Sequence, residues 1–523
     1  MKRFRPGRDH RAARHRAHDG ALRTDPQQPR TAVVVGGGIA GLSAALALAE
    51  RGVTVDLLES GPQFGGRAAS WVLPDGRVMS RGFHAFFRQY YNLRAVLRRC
   101  DPTLARLVGV ADYPLLRADG LTDSFARLPR TPPWNLLGFV RQSPSFRARD
   151  LADINVATAL ELVATEFPQS FSDHDQESAA EFLDRLRFPT AARHLALEVF
   201  SRSFFAAPQE FSAGELVAMF HTYFTGSAEG LLFDVPDDHY DAALWTPLAR
   251  HLTGLGVRCL TGSPATAIHV DHDQLVVERA GARHAADAVV LAADPATTRA
   301  LVTDLTGHHA ETPAMRAWRA QVGRQHNAPE FAVWRLWLDR PVAPHRQAFL
   351  GTTGFGPLDN VSVLERFEAT AADWAADTGG SVVELHAYAV GPTDHDQLRR
   401  ELRTALDAVY PETRDAEILA DAWLVRDDCP LIGPGRWTDR PGVDTPHHGL
   451  VLAGDWVRTD HPVALMERAA TTGLEAANRL LAGWGLAGHD LWTVNPRGLL
   501  PRGFPRLPQT ARRRASRQSL RSA

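Results

Sequence analysis

Between Thr31 and Ser70 the hydrophobic pattern changes period twice. Ala32–Val35 is an unbroken, mostly β-branched apolar run, the signature of a strand buried on both faces in a parallel sheet. From about Ile39 to Arg51 small and apolar residues follow helical spacing, and Val53 to Leu58 returns to a strand pattern. Gly36, Gly38 and Gly41 punctuate the first junction as G-x-G-x-x-G. In a strand–turn–helix context these glycines give, in turn, a tight bend, clearance for a phosphate against the backbone, and close packing of helix on sheet. The helix would turn its unpaired N–H groups toward that phosphate. Glu59 ends the second strand 18 residues beyond Gly41, where a carboxylate accepts hydrogen bonds from ribose hydroxyls and disfavours a 2′-phosphate. The unit predicts a site for the ADP half of a dinucleotide.

Farther along, Asp241 to Pro295 reads as a helix ending at Gly254, strands around Val257, Ala267 and Leu275, and an apolar strand Ala288–Ala292. Residues 151–235 look helical and aromatic. Ser178-x-x-Glu181 and Ser212-x-x-Glu215 have the spacing of capping boxes. The second predicted helix runs on through Phe220 and Tyr223, with Phe204, Phe205 and Phe211 just upstream, either as ordinary core or as the wall of an apolar tunnel. Phe331 to Leu338 and Ser381 to Tyr388 suggest strands, the first with Trp334 and Leu336 on one face and Arg335 and Trp337 on the other.

Composition narrows the chemistry. The 523 residues are 44% apolar, enough for a large core. No apolar run reaches membrane-spanning length and the N-terminus lacks a signal-peptide core, so a cytoplasmic, peripherally associated protein is expected. Cys100, Cys259 and Cys429 are widely separated without C-x-x-C, and the histidines show no H-E-x-x-H or Cys/His ligand spacing; neither a disulfide framework nor a metal is expected. Lys2 is the sole lysine, which excludes Schiff-base and Walker-type lysine chemistry from the folded body. The net charge of −2 hides a strong asymmetry: residues 1–30 carry +6 and 497–523 carry +8, leaving −16 on 31–496. The two basic tails are expected to be disordered, with attraction to an anionic membrane surface as their functional alternative. An acidic body and the lack of aromatics within the basic runs disfavour nucleic acid. The glycines at 351, 354 and 356 and the Gly433-Pro434-Gly435 turn do not follow a strand and open a helix, so no NAD(P)H site is expected.

Glu59 is followed by Gly65-Gly66-Arg67 as E-x5-G-G-R, and near the other end stands GLVLAGDWVRTDHPVALMERAATTGLEAANRLL, Gly449 to Leu481. Together these blocks resemble the flavin amine oxidases and phytoene-type carotenoid desaturases. The resemblance implies FAD, with Asp455 on the ribityl chain, Met466 in the helix opening near Val463 whose N-terminus aims at the flavin pyrimidine, and the backbone near Ala265 and Thr266 against the adenine. It implies an α/β fold: an FAD-binding Rossmann-like domain (31–84, 240–302, 441–490) interleaved with an α+β substrate domain (85–239 and 303–440) whose mixed sheet is covered by helices, between tails 1–30 and 491–523. Many amine-oxidising members hold a water beside the flavin with a lysine, which this chain lacks.

The segment SRGFHAFFRQYYNLRAVLRR, Ser80 to Arg99, narrows the likeness. It is similar to the isorenieratene synthase branch, carotene desaturase/methyltransferases that turn β-ionone end rings into aromatic rings. The resemblance implies Gly82, Phe83 and His84 facing the isoalloxazine, with Arg88, Tyr90 and Tyr91 close by, while Arg94 and Arg98 are expected to be solvated. The implied chemistry is hydride loss from an allylic ring carbon of a hydrophobic carotenoid, methyl migration within the ring, and proton loss. His84 is the first candidate for the proton acceptor and Glu467 the second, with Arg88 beside them. Each ring needs two oxidations, so the flavin must be reoxidised between them, with oxygen or a quinone as acceptor. An acyclic carotene desaturase or isomerase, a flavin amine or porphyrinogen oxidase, and a non-enzymatic lipid carrier of the Rab-escort type stay open as alternatives.

Overall fold

The computed structural model describes residues 11–110, 112–145, 152–189, 192–196, 202–270, 274–391 and 394–502. The strand Thr31–Val35 lies at the centre of a five-stranded sheet ordered Arg258–Leu260, Thr54–Leu58, Thr31–Val35, Ala288–Leu291 and Leu450–Leu452, with every pairing parallel. Its side chains alternate between two cores, as an unbroken apolar strand requires. Ala32 and Val34 face the helix Ile39–Ala49, whereas Val33 and Val35 face the antiparallel sheet Ala265–Val270, Leu275–Arg279, Ala282–Ala286 and the helices Pro295–Thr303 and Pro313–Gly323.

Helix Ile39–Ala49 is buried along its whole length, which explains why its sequence is apolar all round. It is held between the sheet and the long helix Leu465–Gly483. The two helices approach so closely that a Cβ at Gly473 would lie 2.2 Å from the Ala40 carbonyl oxygen. Pieces from the beginning, middle and end of the chain thus build one layered unit.

A second, seven-stranded sheet runs in the order Ile418–Arg426, Glu330–Leu338, Ser381–Val390, Asn360–Val363, Phe349–Thr353, Leu115–Arg117, Thr122–Asp123. It is mixed, because Phe349–Thr353 pairs parallel with Leu115–Arg117 and its other pairings are antiparallel. Trp334 and Leu336 pack with Val383 and Leu385 into a core closed by Leu398, Leu402 and Leu406 of helix His395–Val409. Arg335 and Trp337 point to the other face. Helices Val156–Val163, Gln169–His174, Ala179–Leu186 and Ala213–Phe220 pack together and share one core with the helical side of the parallel sheet, the last continuing as a π-helical turn His221–Thr225.

Three local expectations are corrected. Ser178 and Glu181 form a reciprocal capping box, but at Ser212 only the serine caps, accepting the Gly214 N–H; Glu215 turns inward to Arg440 and Arg468. The N-terminal stretch is not disordered throughout: Ala13–His15 pairs antiparallel with Leu491–Thr493, and Arg14 bonds Asp490. The basic residue here has a specific acidic partner, which composition alone does not reveal. Arg94, expected in solvent, is drawn to the buried Asp234 carboxylate at 2.7 Å. Residues 1–10 and 503–523, which hold most of the basic tails, lie outside the described residues.

Candidate active site

A continuous cavity of about 1260 Å³ runs from the glycine turn of the parallel sheet to the inner face of the seven-stranded sheet, more than the usual ~300–1,000 Å³ of a site for one small ligand. At the first end Gly36 has φ +107°, a conformation that favours glycine, and its backbone lies against Ala292. A Cβ at Gly41 would sit 1.8 Å from the Gly36 carbonyl oxygen, so the helix can start so near the strand only with glycine there. Gly38 differs: a Cβ there would meet nothing closer than Gly66 Cα at 3.8 Å, and no side chain caps the helix that follows. That open, uncapped helix N-terminus is what a pyrophosphate needs. Glu59 accepts the Gly37 N–H at 2.7 Å and the Gly61 N–H at 2.6 Å, and its carboxylate lines the cavity with acceptor capacity left for ribose hydroxyls. Ser263, Pro264 and Ala265 form the adjacent wall; Thr266 turns away, its hydroxyl donating to the Glu278 carbonyl.

Gly65 and Gly66 both have positive φ, and Gly65 packs on the Trp245 indole with no room for a side chain. They carry Arg67 into the cavity, where its guanidinium meets Asp455 at 2.6 Å. Burial opposes the Arg67 charge, but Asp455, together with Cys429 and Asp428, more than offsets it and raises the guanidinium pKa. The helix Leu465–Gly483 begins at the same wall, with Leu465, Met466 and Ala469 lining the cavity. Leu465 itself has φ +54°, a strained conformation that costs about 1–3 kcal/mol and is characteristic of functional sites. Arg468 accompanies it: buried, it holds the Val463 carbonyl and pairs with Glu215 at 2.6 Å, bracing the loop that follows Asp455.

The far end is aromatic. Phe83 stacks on Phe349 with ring centroids 4.3 Å apart, and Tyr113 lies 5.1 Å from Phe349. Phe87, Tyr90, Phe204, Phe205 and Tyr223 also line this end, whereas Phe211 and Phe220 pack into the core. His84 lines the cavity, and its Nδ1 donates to the Gly82 carbonyl at 2.7 Å, which leaves Nε2 unprotonated. Burial lowers its pKa to about 4, so its imidazole stays neutral and is a poor place to deposit a proton.

Other candidates sit elsewhere. Glu467 is absent from the cavity wall: one residue round the helix from Met466, it accepts the N–H groups of Asn92 (2.8 Å) and Leu93 (3.0 Å) and caps helix Tyr91–Leu97. Arg88 follows the inward Phe87 and turns out of the cavity toward Asp234, 3.6 Å away. Gly82 packs on the His386 ring, and Tyr91 is buried outside the wall. Sequence reasoning also missed polar residues that do reach the cavity: His386 and Tyr388, with Asn360 beside them. The signal was available as E-x-H-x-Y, Glu384 to Tyr388, three polar groups on one face of an otherwise apolar strand.

A parallel dinucleotide sheet, an open helix N-terminus, and an Arg–Asp pair leading to an aromatic chamber define an FAD-dependent oxidoreductase. Residues 39–481 match the family of flavin containing amine oxidoreductases, and the chain belongs to that family. It is 52% identical to the carotenoid phi-ring synthase of Streptomyces griseus over 500 residues, covering 94% of this chain and 95% of that one. It is 28% identical to the carotenoid phi-ring synthase of Chlorobaculum tepidum, over 87% and 89% of the two chains. Among solved structures, putrescine oxidase bound to putrescine aligns with TM-score 0.62 at 15% identity over 87% of this chain and 99% of that one. Reduced UDP-galactopyranose mutase aligns with TM-score 0.63 at 15% identity, over 87% and 94%. These two likenesses concern the fold.

Proposed function

We propose that this protein desaturates and aromatises the β-ionone-type end rings of a carotenoid, with the methyl group moving within the ring. The observation that carries this reading is the 52% identity, along nearly the whole of both chains, to a protein named carotenoid phi-ring synthase. The aromatic end of the cavity fits it: the rings of Phe83, Phe349 and Tyr113 supply π-systems that stabilise a cationic ring.

FAD, when bound, supplies the hydride acceptor. Gly36, Gly38 and the first turn of helix Ile39–Ala49 would hold its pyrophosphate, Glu59 its ribose, and Asp455 with Arg67 its ribityl side. The N-terminus of helix Leu465–Gly483 places positive potential at that end of the cavity. The aromatic side chains exclude water and fix the ring against the hydride acceptor. Without any lysine after Lys2, the folded body cannot hold a lysine-bound water beside the flavin, which disfavours amine oxidation.

We further infer that the protein works at an anionic membrane surface. No described helix is long and apolar enough to cross a membrane. Helix Trp134–Gln142 nevertheless exposes Trp134 (63%) and Leu137 (58%) on one face, with Arg127, Arg130 and Arg141 exposed around them. Aromatic and aliphatic side chains ringed by arginine suit an interfacial helix. A small crevice beneath this helix is walled by Tyr223 and Leu231, which also line the main cavity.

The test is incubation of the FAD-loaded protein with β-carotene and, separately, with lycopene, followed by chromatography and absorption spectra of the products. Aromatic end rings from β-carotene with lycopene untouched are expected. Conversion of lycopene alone would reassign the protein to acyclic chemistry, and a colourless protein that takes up no FAD would point to a carrier.

A further inference from the structure

We propose that Tyr388, backed by His386 and Glu384, accepts the proton that the substrate ring gives up, so that a Tyr–His–Glu relay in the substrate sheet completes each oxidation. The inference rests on the carotenoid-ring reading above. Strand Ser381–Val390 sends Val383, Leu385 and Ala387 into the core beneath helix His395–Val409 and points Glu384, His386 and Tyr388 the other way. Glu384 is 0% exposed and His386 1%. Ionisable groups this deep cost stability unless paired, and the pairing here is directional.

Arg335, itself 1% exposed, donates to Glu384 Oε2 from Nε at 3.0 Å and from its terminal nitrogen at 2.7 Å. That leaves Oε1 for His386 Nε2 at 2.9 Å. Burial alone would raise the Glu384 pKa, but Arg335 and His386 hold it at about 2, so the carboxylate only accepts. The Phe83 N–H also approaches His386 Nε2, at 3.3 Å, but a bare lone pair facing the ionised Glu384 carboxylate at the shorter distance of 2.9 Å would be repelled, so Nε2 carries the hydrogen and Nδ1 offers its lone pair to the Tyr388 hydroxyl, 2.6 Å away. Asn360 Nδ2 donates to the same hydroxyl at 3.1 Å. One lone pair of the Tyr388 oxygen is left for the cavity, which Tyr388 and His386 both line. The Tyr388 ring is fixed edge-on against Phe205, 4.9 Å between centroids, and Phe205 is held at φ +56°.

The step balances. Once hydride has left the ring for the bound flavin, a C–H bond adjacent to the cationic carbon breaks and its electron pair becomes the new ring double bond. The proton goes to the Tyr388 oxygen as that hydroxyl's own proton crosses to His386 Nδ1. The resulting imidazolium lies beside the Glu384 carboxylate, a stabilisation that His84, bonded to a backbone carbonyl, lacks. Tyr388 is the catalytic residue; His386 and Glu384 position and drain it.

Tyr388→Phe keeps the ring and removes only the hydroxyl. Wild type, Tyr388→Phe, His386→Asn and His84→Ala are loaded with FAD, mixed anaerobically with β-carotene in micelles, and followed for flavin bleaching and carotenoid product. Tyr388→Phe should hold FAD and melt as wild type does, yet form aromatic product at least about 100-fold more slowly, within the usual range for losing a general base. His386→Asn should lower kcat with KM unchanged and abolish the solvent deuterium effect that the relay requires of wild type. Wild-type product rates in Tyr388→Phe, or loss of product in His84→Ala alone, would overturn the relay. A wild-type protein that holds FAD but leaves β-carotene unchanged would overturn the carotenoid reading, and the relay with it, a result visible before any variant is compared.

Discussion

Arg67 and Asp455 stand 388 residues apart in the chain and 2.6 Å apart in the fold, on the wall of one cavity. This ion pair joins the opening glycine unit to the closing helix, so the two ends of the chain share one FAD site. Losing a hydrogen bond to a charged group costs about 1.5–3 kcal/mol. Asp455→Ala should therefore weaken FAD retention by roughly tenfold or more, measured as flavin absorbance remaining after gel filtration. Full retention would show that the pair does not contact the cofactor.

Gly38 and Gly41 should separate binding from folding. Gly41→Ala places a Cβ 1.8 Å from a backbone oxygen and should give little soluble protein, whereas Gly38→Ala meets only open space and has φ −75°, which alanine tolerates. Gly38→Ala should melt within a few degrees of the FAD-free wild type yet fail to take up FAD. Normal uptake would move the pyrophosphate elsewhere.

Glu215, 0% exposed, bridges Arg440 and Arg468, both at 2.6 Å. Removing Glu215 strips the buried Arg468 of this carboxylate, while Arg440 keeps Asp175 at 2.8 Å, a loss of about 3–5 kcal/mol. Glu215→Ala should lower the thermal midpoint markedly and loosen the loop after Asp455, visible as faster amide exchange over residues 455–463. A midpoint within one or two degrees of wild type would contradict this account.

Two sets of buried groups make stability depend on pH in opposite senses. Burial raises Glu467 to about 8 and Glu475 to about 7, against an ordinary 4.5. Folding therefore binds protons at these sites, and their stabilisation, complete below 4.5, is lost as pH rises through 7 and 8. Burial lowers His84, His221, His461 and His489 to about 4, so their contribution is present above 6.5 and lost as pH falls toward 4. Because four histidines oppose two carboxylates below 6.5, thermal melts should show the midpoint rising from about pH 4 to an optimum near 6.5, then declining from there to about pH 8, where both carboxyls are ionised in either state. A midpoint that climbs steadily over that upper range would refute the assignment.

Trp134→Ala with Leu137→Ala removes the two apolar side chains exposed on helix Trp134–Gln142. Each buries about 1.5–3 kcal/mol of apolar surface when covered, so the double variant should sediment with anionic liposomes at least about tenfold less well. Unchanged sedimentation would exclude this helix as the contact.

The glycine turn was legible because each glycine answers a local steric demand, positive φ at Gly36 and clearance at Gly41, that spacing along the chain encodes. Phe83 and His84 were placed by resemblance, and both line the cavity. Glu467 and Arg88 misled because each neighbours a cavity residue in sequence but points elsewhere: a helix turns about 100° per residue, and a strand reverses face at each step. The E-x-H-x-Y face was overlooked because an isolated strand does not reveal which of its faces meets a cavity and which meets a helix.

By itself, then, the sequence determined the periodic elements, the dinucleotide turn and the flavin-type pairing of its two motifs, because those depend on backbone sterics and short-range spacing. Only the tertiary structure decided which buried charges meet. Arg335 with Glu384, Arg468 with Glu215 and Arg67 with Asp455 are long-range pairs, and their direction and burial arise from how separate segments pack rather than from any local pattern.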